Sequence, residues 1–221
     1  MASLVVSGDT SGAITLSAPS VAGTNTLSLP AVTDTLVGLA ATQTLTNKSI
    51  AATQLTGTIA AARLPTGSVL QVISTAKTDT FTTTGTAQTA ITGLTAAITP
   101  ISATSKILII VSIGGYAQGA SQGRFILTRG GSTITGAVGA TAGSRTSDTF
   151  TLSGATSGAP QITGGMTYLD SPATTSSTTY GITVSANDAG EVIYINRSNA
   201  DTDGSQYQRN ISTITVMEIA G

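Results

Sequence analysis

Residues 106–113, "KILIIVSI", decide the fold. In an extended chain side chains alternate between two faces. Ile107, Ile109, Val111 and Ile113 then share one face, and Leu108 and Ile110 share the other. The apolar run is far shorter than the ~20 residues of a membrane-spanning helix. Its β-branched residues favour a strand. In a free sandwich one face of each strand meets water, but here both faces call for cover. One is expected to line a sandwich core, and the other to pack on a neighbouring subunit or under a long loop of the same chain. Ile107, Ile109 and Val111 are the candidate subunit-interface residues of this strand.

On both sides of this stretch lie further strand patterns. They are "SVLQVIST" (68–75), "RFILTRGG" followed by "STIT" (124–135), "SDTFTLSG" (147–154), "QITGGMTYL" (161–169), "TYGITVSA" (179–186), "EVIYINRS" (191–198) and "NISTITVMEIA" (210–220). Tyr180, Ile182 and Val184 alternate cleanly, and "NDAG" (187–190) reads as a turn. Roughly eight to ten strands with frequent turn signals predict an antiparallel β-sandwich of jelly-roll type over 68–221.

Composition supports an all-β chain. Of 221 residues, 43 are Thr, 25 Ser and 25 Gly, while only 9% are charged, against about 25% in an ordinary soluble domain. Threonine suits a pleated surface and tolerates water. So uncharged a surface is expected to be covered in part by other copies of the chain. Net charge is −1 with Lys and Arg scattered singly, which argues against nucleic-acid binding. The start, "MASLVVSGDT", lacks the basic segment of a secretory signal, so synthesis and folding in a cytoplasm, without export and without membrane insertion, are expected.

Residues 1–67 have another texture. "TLSAP" (15–19) returns as "TLSLP" (26–30), and further Thr-Leu pairs begin at Thr35 and Thr44. Short phrases of this kind predict an extended region of brief strands that needs neighbours to bury anything. "TQTLTNKSI" (42–50) ends the series, and Leu45 and Ile50 are its candidate subunit contacts. "IAAAR" (59–63) is expected to form one helical turn, ended before Pro65.

Histidine and cysteine are absent, which removes Ser-His-Asp and Cys-His catalysis and the commonest metal ligand. The ten acidic residues are widely spaced and aromatics make up only 4%, which disfavours a glycosidase. "DTDG" (201–204) resembles the opening of a calcium loop, but Ser212 stands where the closing glutamate belongs. No enzyme activity, cofactor or metal is expected. "GGYAQGASQG" (114–123) lacks phosphate-loop spacing and reads as a flexible loop. The Asn-X-Ser triplets at Asn47, Asn196 and Asn210 carry little information in so Ser-rich a chain. Asp170, two residues before Pro172, is expected to hydrogen-bond turn backbone.

Taken together, "TQTLTNKSI", "LTGTIAAARLPTGSVLQV", "TGLTAAITPISATSKILIIVSI", "TYLDSPATTSSTTYGITV" and "STITVMEI" resemble phrases of tailed-phage fibre and related virion proteins, notably of phages of marine bacteria and cyanobacteria. The resemblance spans most of residues 42–219 and is weaker over 1–40. It implies a homotrimer located in the virion, with an N-terminal attachment region (1–67) and a C-terminal knob (68–221). It also implies docking on other virion proteins through the first region, for which Leu4, Val5, Val6, Ile14 and Leu16 are candidates. The knob would meet a host-surface glycan or protein through loops carrying Gln118, Gln122, Asp201 and Asp203. A capsid decoration protein or head fibre without receptor is the alternative, and a polysaccharide depolymerase a remote one.

Overall fold

A computed structural model describes residues 3–7, 11–17, 20, 21, 23, 24, 31, 49, 57, 59–119, 122–153 and 161–221. The chain divides into two compact units, Met1–Thr56 and Gly57–Gly221.

In the first unit, β1 (Ser3–Ser7) and β2 (Ala13–Ser17) form an antiparallel hairpin in which Leu4 faces Leu16 and Val6 faces Ile14. Val5 and Val6 are about half exposed. Leu45 and Ile50 lie outside the described residues, as do the side chains of Leu4, Ile14 and Leu16.

The second unit opens with a 3-10 turn, Ala61–Arg63, that stops just before Leu64 and Pro65. Eleven strands follow among the described residues: β3 (Val69–Lys77), β4 (Phe81–Thr84), β5 (Thr89–Ile98), β6 (Lys106–Ala117), β7 (Gln122–Arg129), β8 (Ser132–Thr133), β9 (Phe150–Ser153), β10 (Ile162–Asp170), β11 (Thr178–Ala186), β12 (Val192–Ile195) and β13 (Ser212–Ile219). They form two antiparallel sheets. The first runs β10–β6–β13–β3, with β12 and β4 continuing the lines of β13 and β3 along the far half of β6. The second runs β5–β11–β7–β9, with the short β8 also on β7. Apart from the short β4, β8 and β12, the chain crosses between sheets at six of seven connections, and this strand order is that of a jelly roll.

Alternation explains which residues enter the core. Ile107, Ile109, Val111 and Ile113 of β6 meet Phe125 and Leu127 of β7, Tyr180, Ile182 and Val184 of β11, and Ile214 and Val216 of β13 in one apolar cluster. Ile107 and Ile109 are fully buried and Val111 nearly so within the chain itself. They are therefore closed to any neighbour, contrary to the interface role expected of them. Leu108 and the partly exposed Ile110 occupy the opposite, outer face. Phe125 stacks on Phe150 at 4.8 Å across the β7–β9 pair, a contact typical of cross-strand aromatic pairs.

Two departures from simple alternation shape the sheets. In β5, Gly93 takes φ +81° and the register against β11 shifts, so Ile91 and Leu94, three residues apart, both point into the core. In β6, the strand continues through Gly114, Gly115, Tyr116 and Ala117, where a flexible loop is expected from the glycines. These glycines serve close approach. A Cβ on Gly114 would come 2.7 Å from Cβ of Asn210, and one on Gly115 would come 2.5 Å from the Tyr194 carbonyl oxygen.

A buried polar plug closes the gap where β12 gives way to β13 and β3 gives way to β4. Asn196, fully buried and at φ +59°, donates from Nδ2 to the carbonyls of Lys77 (2.7 Å) and Asp79 (2.9 Å), and its Oδ1 accepts from Ser212 Oγ (2.6 Å). Asparagine tolerates the left-handed region better than most residues. Its side chain here satisfies backbone groups that the interrupted ladders leave unpaired.

Candidate functional site

Asp170 ends β10 beside the end of β7, because Asp170 pairs with Ile107 at the entry of β6 and Arg129 closes β7. Its carboxylate is buried, and Oδ2 accepts from Arg129 Nη1 at 2.8 Å and from Tyr180 Oη at 2.7 Å. The expected bond to turn backbone is thus replaced by side-chain partners from two strands of the second sheet. The network ties β10 of one sheet to β7 and β11 of the other. Burial, the hydrogen bond to Asp170 and its charge all push the Tyr180 hydroxyl well above the ordinary range, so it stays a donor. Burial works against the Arg129 charge, but the bond to Asp170 and its field outweigh that and raise Arg129 further.

Arg129 spends part of its fork on Asp170, yet its side chain remains 39% exposed. It opens onto a cleft of about 380 Å³ at this end of the sandwich. Beyond Arg129 the Gly130–Gly131 turn, at φ +58° and +81°, folds β8 back on β7 and brings Ser132 and Thr133 to the rim. Ile134, Thr135 and Gly136 continue the wall, and Tyr168 to Ser171 of the other sheet face them. A Cβ on Gly136 would come 2.5 Å from Tyr168 Oη, so only glycine leaves that hydroxyl its place.

The residues expected in receptor-binding loops do not gather at this cleft. Gln118 and Gln122 are exposed at the turn from β6 to β7, at the opposite end of β7 from Arg129. Asp201 and Asp203 are exposed in the β12–β13 connection, where the Asp201 carboxylate is engaged by Arg209 (2.6 Å) and lies 3.8 Å from Arg197. Arg197 in turn stands 4.6 Å from the centre of the Tyr194 ring.

A second surface stands out on the outer face of the first sheet. Val72 of β3, Met217 of β13, Leu108 of β6 and Leu169 of β10 are in register and form one apolar row across four strands. Val72 is 55% and Leu169 47% exposed. The next row is Ser74, Thr215, Ile110 and Thr167. The charged residue of β6 on this face is Lys106, at its first position. Sequence alternation located Leu108 and Ile110 there, but the continuity of the row follows from strand order alone.

Among the described residues, no group of three or more acidic side chains is placed to hold a metal ion. Among the described residues no helix is long and apolar enough to cross a membrane. No protein-family model and no curated protein matches the chain.

Proposed function

We propose that this protein is a structural component of a tailed-phage virion, a homotrimeric tail fibre or short appendage whose jelly-roll knob takes part in host-surface recognition. The observation that carries the assembly is the outer row Val72–Met217–Leu108–Leu169. It is apolar, spans four strands, and is followed by a row of hydroxyls and Ile110. A charged partner would find no complement on it, whereas a second copy of the same neutral surface would. Burying such a row removes apolar area from water at about 25 cal/mol per Å². The resemblance of residues 42–219 to phage fibre phrases supports the virion location, with the N-terminal unit docking on other virion proteins. A non-enzymatic role fits a chain without histidine or cysteine.

Light scattering on the purified chain tests the assembly. Three times the chain mass of 21.8 kDa is expected, and a monomer at micromolar concentration would sink it. Antibody labelling of intact particles then separates the tail position expected here from a capsid decoration protein or head fibre.

A further inference from the structure

The cleft beside Arg129 combines four features. It is concave, it is lined by the hydroxyls of Ser132, Thr133, Thr135 and Ser171, it holds one cation and one anion, and its charged pair is fixed from behind. Among its lining residues Arg129 and Asp170 are the charged ones, and at 2.8 Å they cancel. An anion would therefore gain little there, because the guanidinium charge is already met by a buried carboxylate. What remains is a set of hydrogen-bond donors and acceptors without net charge. Arg129 offers N–H groups that do not bond Asp170, and the serine and threonine hydroxyls both donate and accept. Ile134 and Tyr168 add apolar surface to the same wall. Binding sites generally pair apolar walls with a few placed polar groups held by a rigid scaffold.

We infer that this cleft is a binding site for a neutral saccharide unit, whose vicinal hydroxyls meet the Arg129 fork and the hydroxyl rim while its C–H face lies against Ile134 and Tyr168. This deepens the recognition half of the proposal above and rests on it only for the source of the sugar, a host-surface glycan. The size agrees, since a cleft of about 380 Å³ lies at the small end of the range of ligand pockets. A single sugar ring of about a dozen heavy atoms binds with a dissociation constant on the order of 1 mM, and three copies on one appendage would multiply its effect.

The test is a titration of the full-length protein, followed by amide and Arg side-chain NMR shifts. The probes are methyl α-mannopyranoside, methyl α-glucopyranoside, methyl β-galactopyranoside and, as the anionic comparator, galacturonate. At least one neutral glycoside is expected to shift Arg129 Nε and the amides of Thr133, Thr135 and Ser171 at millimolar concentration. Arg129→Lys and the exposed-rim change Thr133→Val are each expected to weaken that binding tenfold or more, Thr133→Val with the melting temperature little changed, whereas Tyr168→Phe, which keeps the ring wall, is expected to bind within about twofold of the unaltered protein. Three results would overturn the inference: no shift at these groups from any neutral probe up to about 50 mM, shifts confined to another surface, or galacturonate binding tenfold tighter than every neutral glycoside. A trimer that binds no sugar refutes the site and leaves the assembly standing, while a monomer that binds sugar does the reverse.

Discussion

The two faces of the β10–β6–β13–β3 sheet come from the same strands and differ in what they meet. Inward, Ile109 and Val216 sit side by side against the second sheet and are fully buried. Outward, one residue along, Leu108 and Met217 sit side by side in a row whose ends, Val72 and Leu169, stand about half exposed. The inner face is completed by the chain's own fold, whereas the outer face is apolar without such completion. Apolar character in a strand therefore specifies that a face is to be covered, but not by which molecule.

Breaking the inner face should have the largest effect. Ile109→Asp places an unpaired carboxylate in the core and removes a buried aliphatic side chain, for a loss on the order of 5–10 kcal/mol. That is comparable to the whole stability of a domain, so the variant is expected to be insoluble or unfolded by circular dichroism. A soluble, cooperatively melting Ile109→Asp protein would overturn the placement of β6.

The next largest effect concerns the seam that lets the inner face continue from β13 into β12. Asn196→Ala loses two buried hydrogen bonds and one part-buried one and leaves alanine at φ +59°, for about 2–4 kcal/mol in urea unfolding. Asn196→Gly relieves the backbone but not the lost bonds and should recover about 1 kcal/mol of it. Equal losses in the two variants would show that φ strain plays no part.

At the rim of the inner face, Gln71, Glu218, Ile107 and Asp170 form one lateral row. Burial opposes the Glu218 charge. The neighbouring Ser105 hydroxyl, hydrogen bonds from Gln71 Nε2 (2.5 Å) and the Ile101 amide (2.7 Å), and the Ser102 amide together outweigh it and hold the carboxyl below its ordinary 4.5. A depressed folded value means that this stabilisation is present above the ordinary pKa and is lost as pH falls through the folded one. Melting temperature is expected to fall below about pH 4.5. Glu218→Gln should cost about 1–3 kcal/mol at pH 7 and flatten the acid slope. Part of the slope should persist, because exposed Asp79 is likewise lowered by its hydrogen bond to Lys77.

Substituting the outer face should change monomer stability least. Val72→Lys and Leu169→Lys are expected to shift unfolding by no more than about 0.5 kcal/mol, as for most surface positions. Both should nonetheless lower the mass seen by light scattering if the outer row joins subunits. An unchanged trimer in the double variant would free this face from the interface and sharpen the contrast between the two faces into one of exposure alone.

Where periodicity was regular, strands were legible in the sequence. Tyr180, Ile182 and Val184 alternate and are buried, and Gly130-Gly131 marks a hairpin that forms. β5 escaped because the bulge at Gly93 replaces a spacing of two with a spacing of three between Ile91 and Leu94. The last third of β6 escaped because its glycines, the usual sign of a loop, here admit Asn210 and the Tyr194 carbonyl. Asn196 looked like one Asn-X-Ser triplet among several, and only its φ and its three partners reveal a structural plug. Of the cleft, only Asp170 is legible in the sequence, because Arg129 lies 41 residues before it and neither Arg129 nor Tyr168 carries a motif.

By itself the sequence determined that the chain is β-rich, that "KILIIVSI" is apolar on both sides, and that catalysis by histidine or cysteine is closed to it. Those properties are local, fixed by side-chain chemistry and a period of two. The tertiary structure decided which face of β6 becomes core, which side chains line up into the outer row, and that Arg129, Asp170 and Tyr180 meet in one hydrogen-bond network behind the cleft. Strand order and register bring together residues far apart in the chain, and neither is written in any single strand, since a pleated segment offers the same alternation to every possible neighbour.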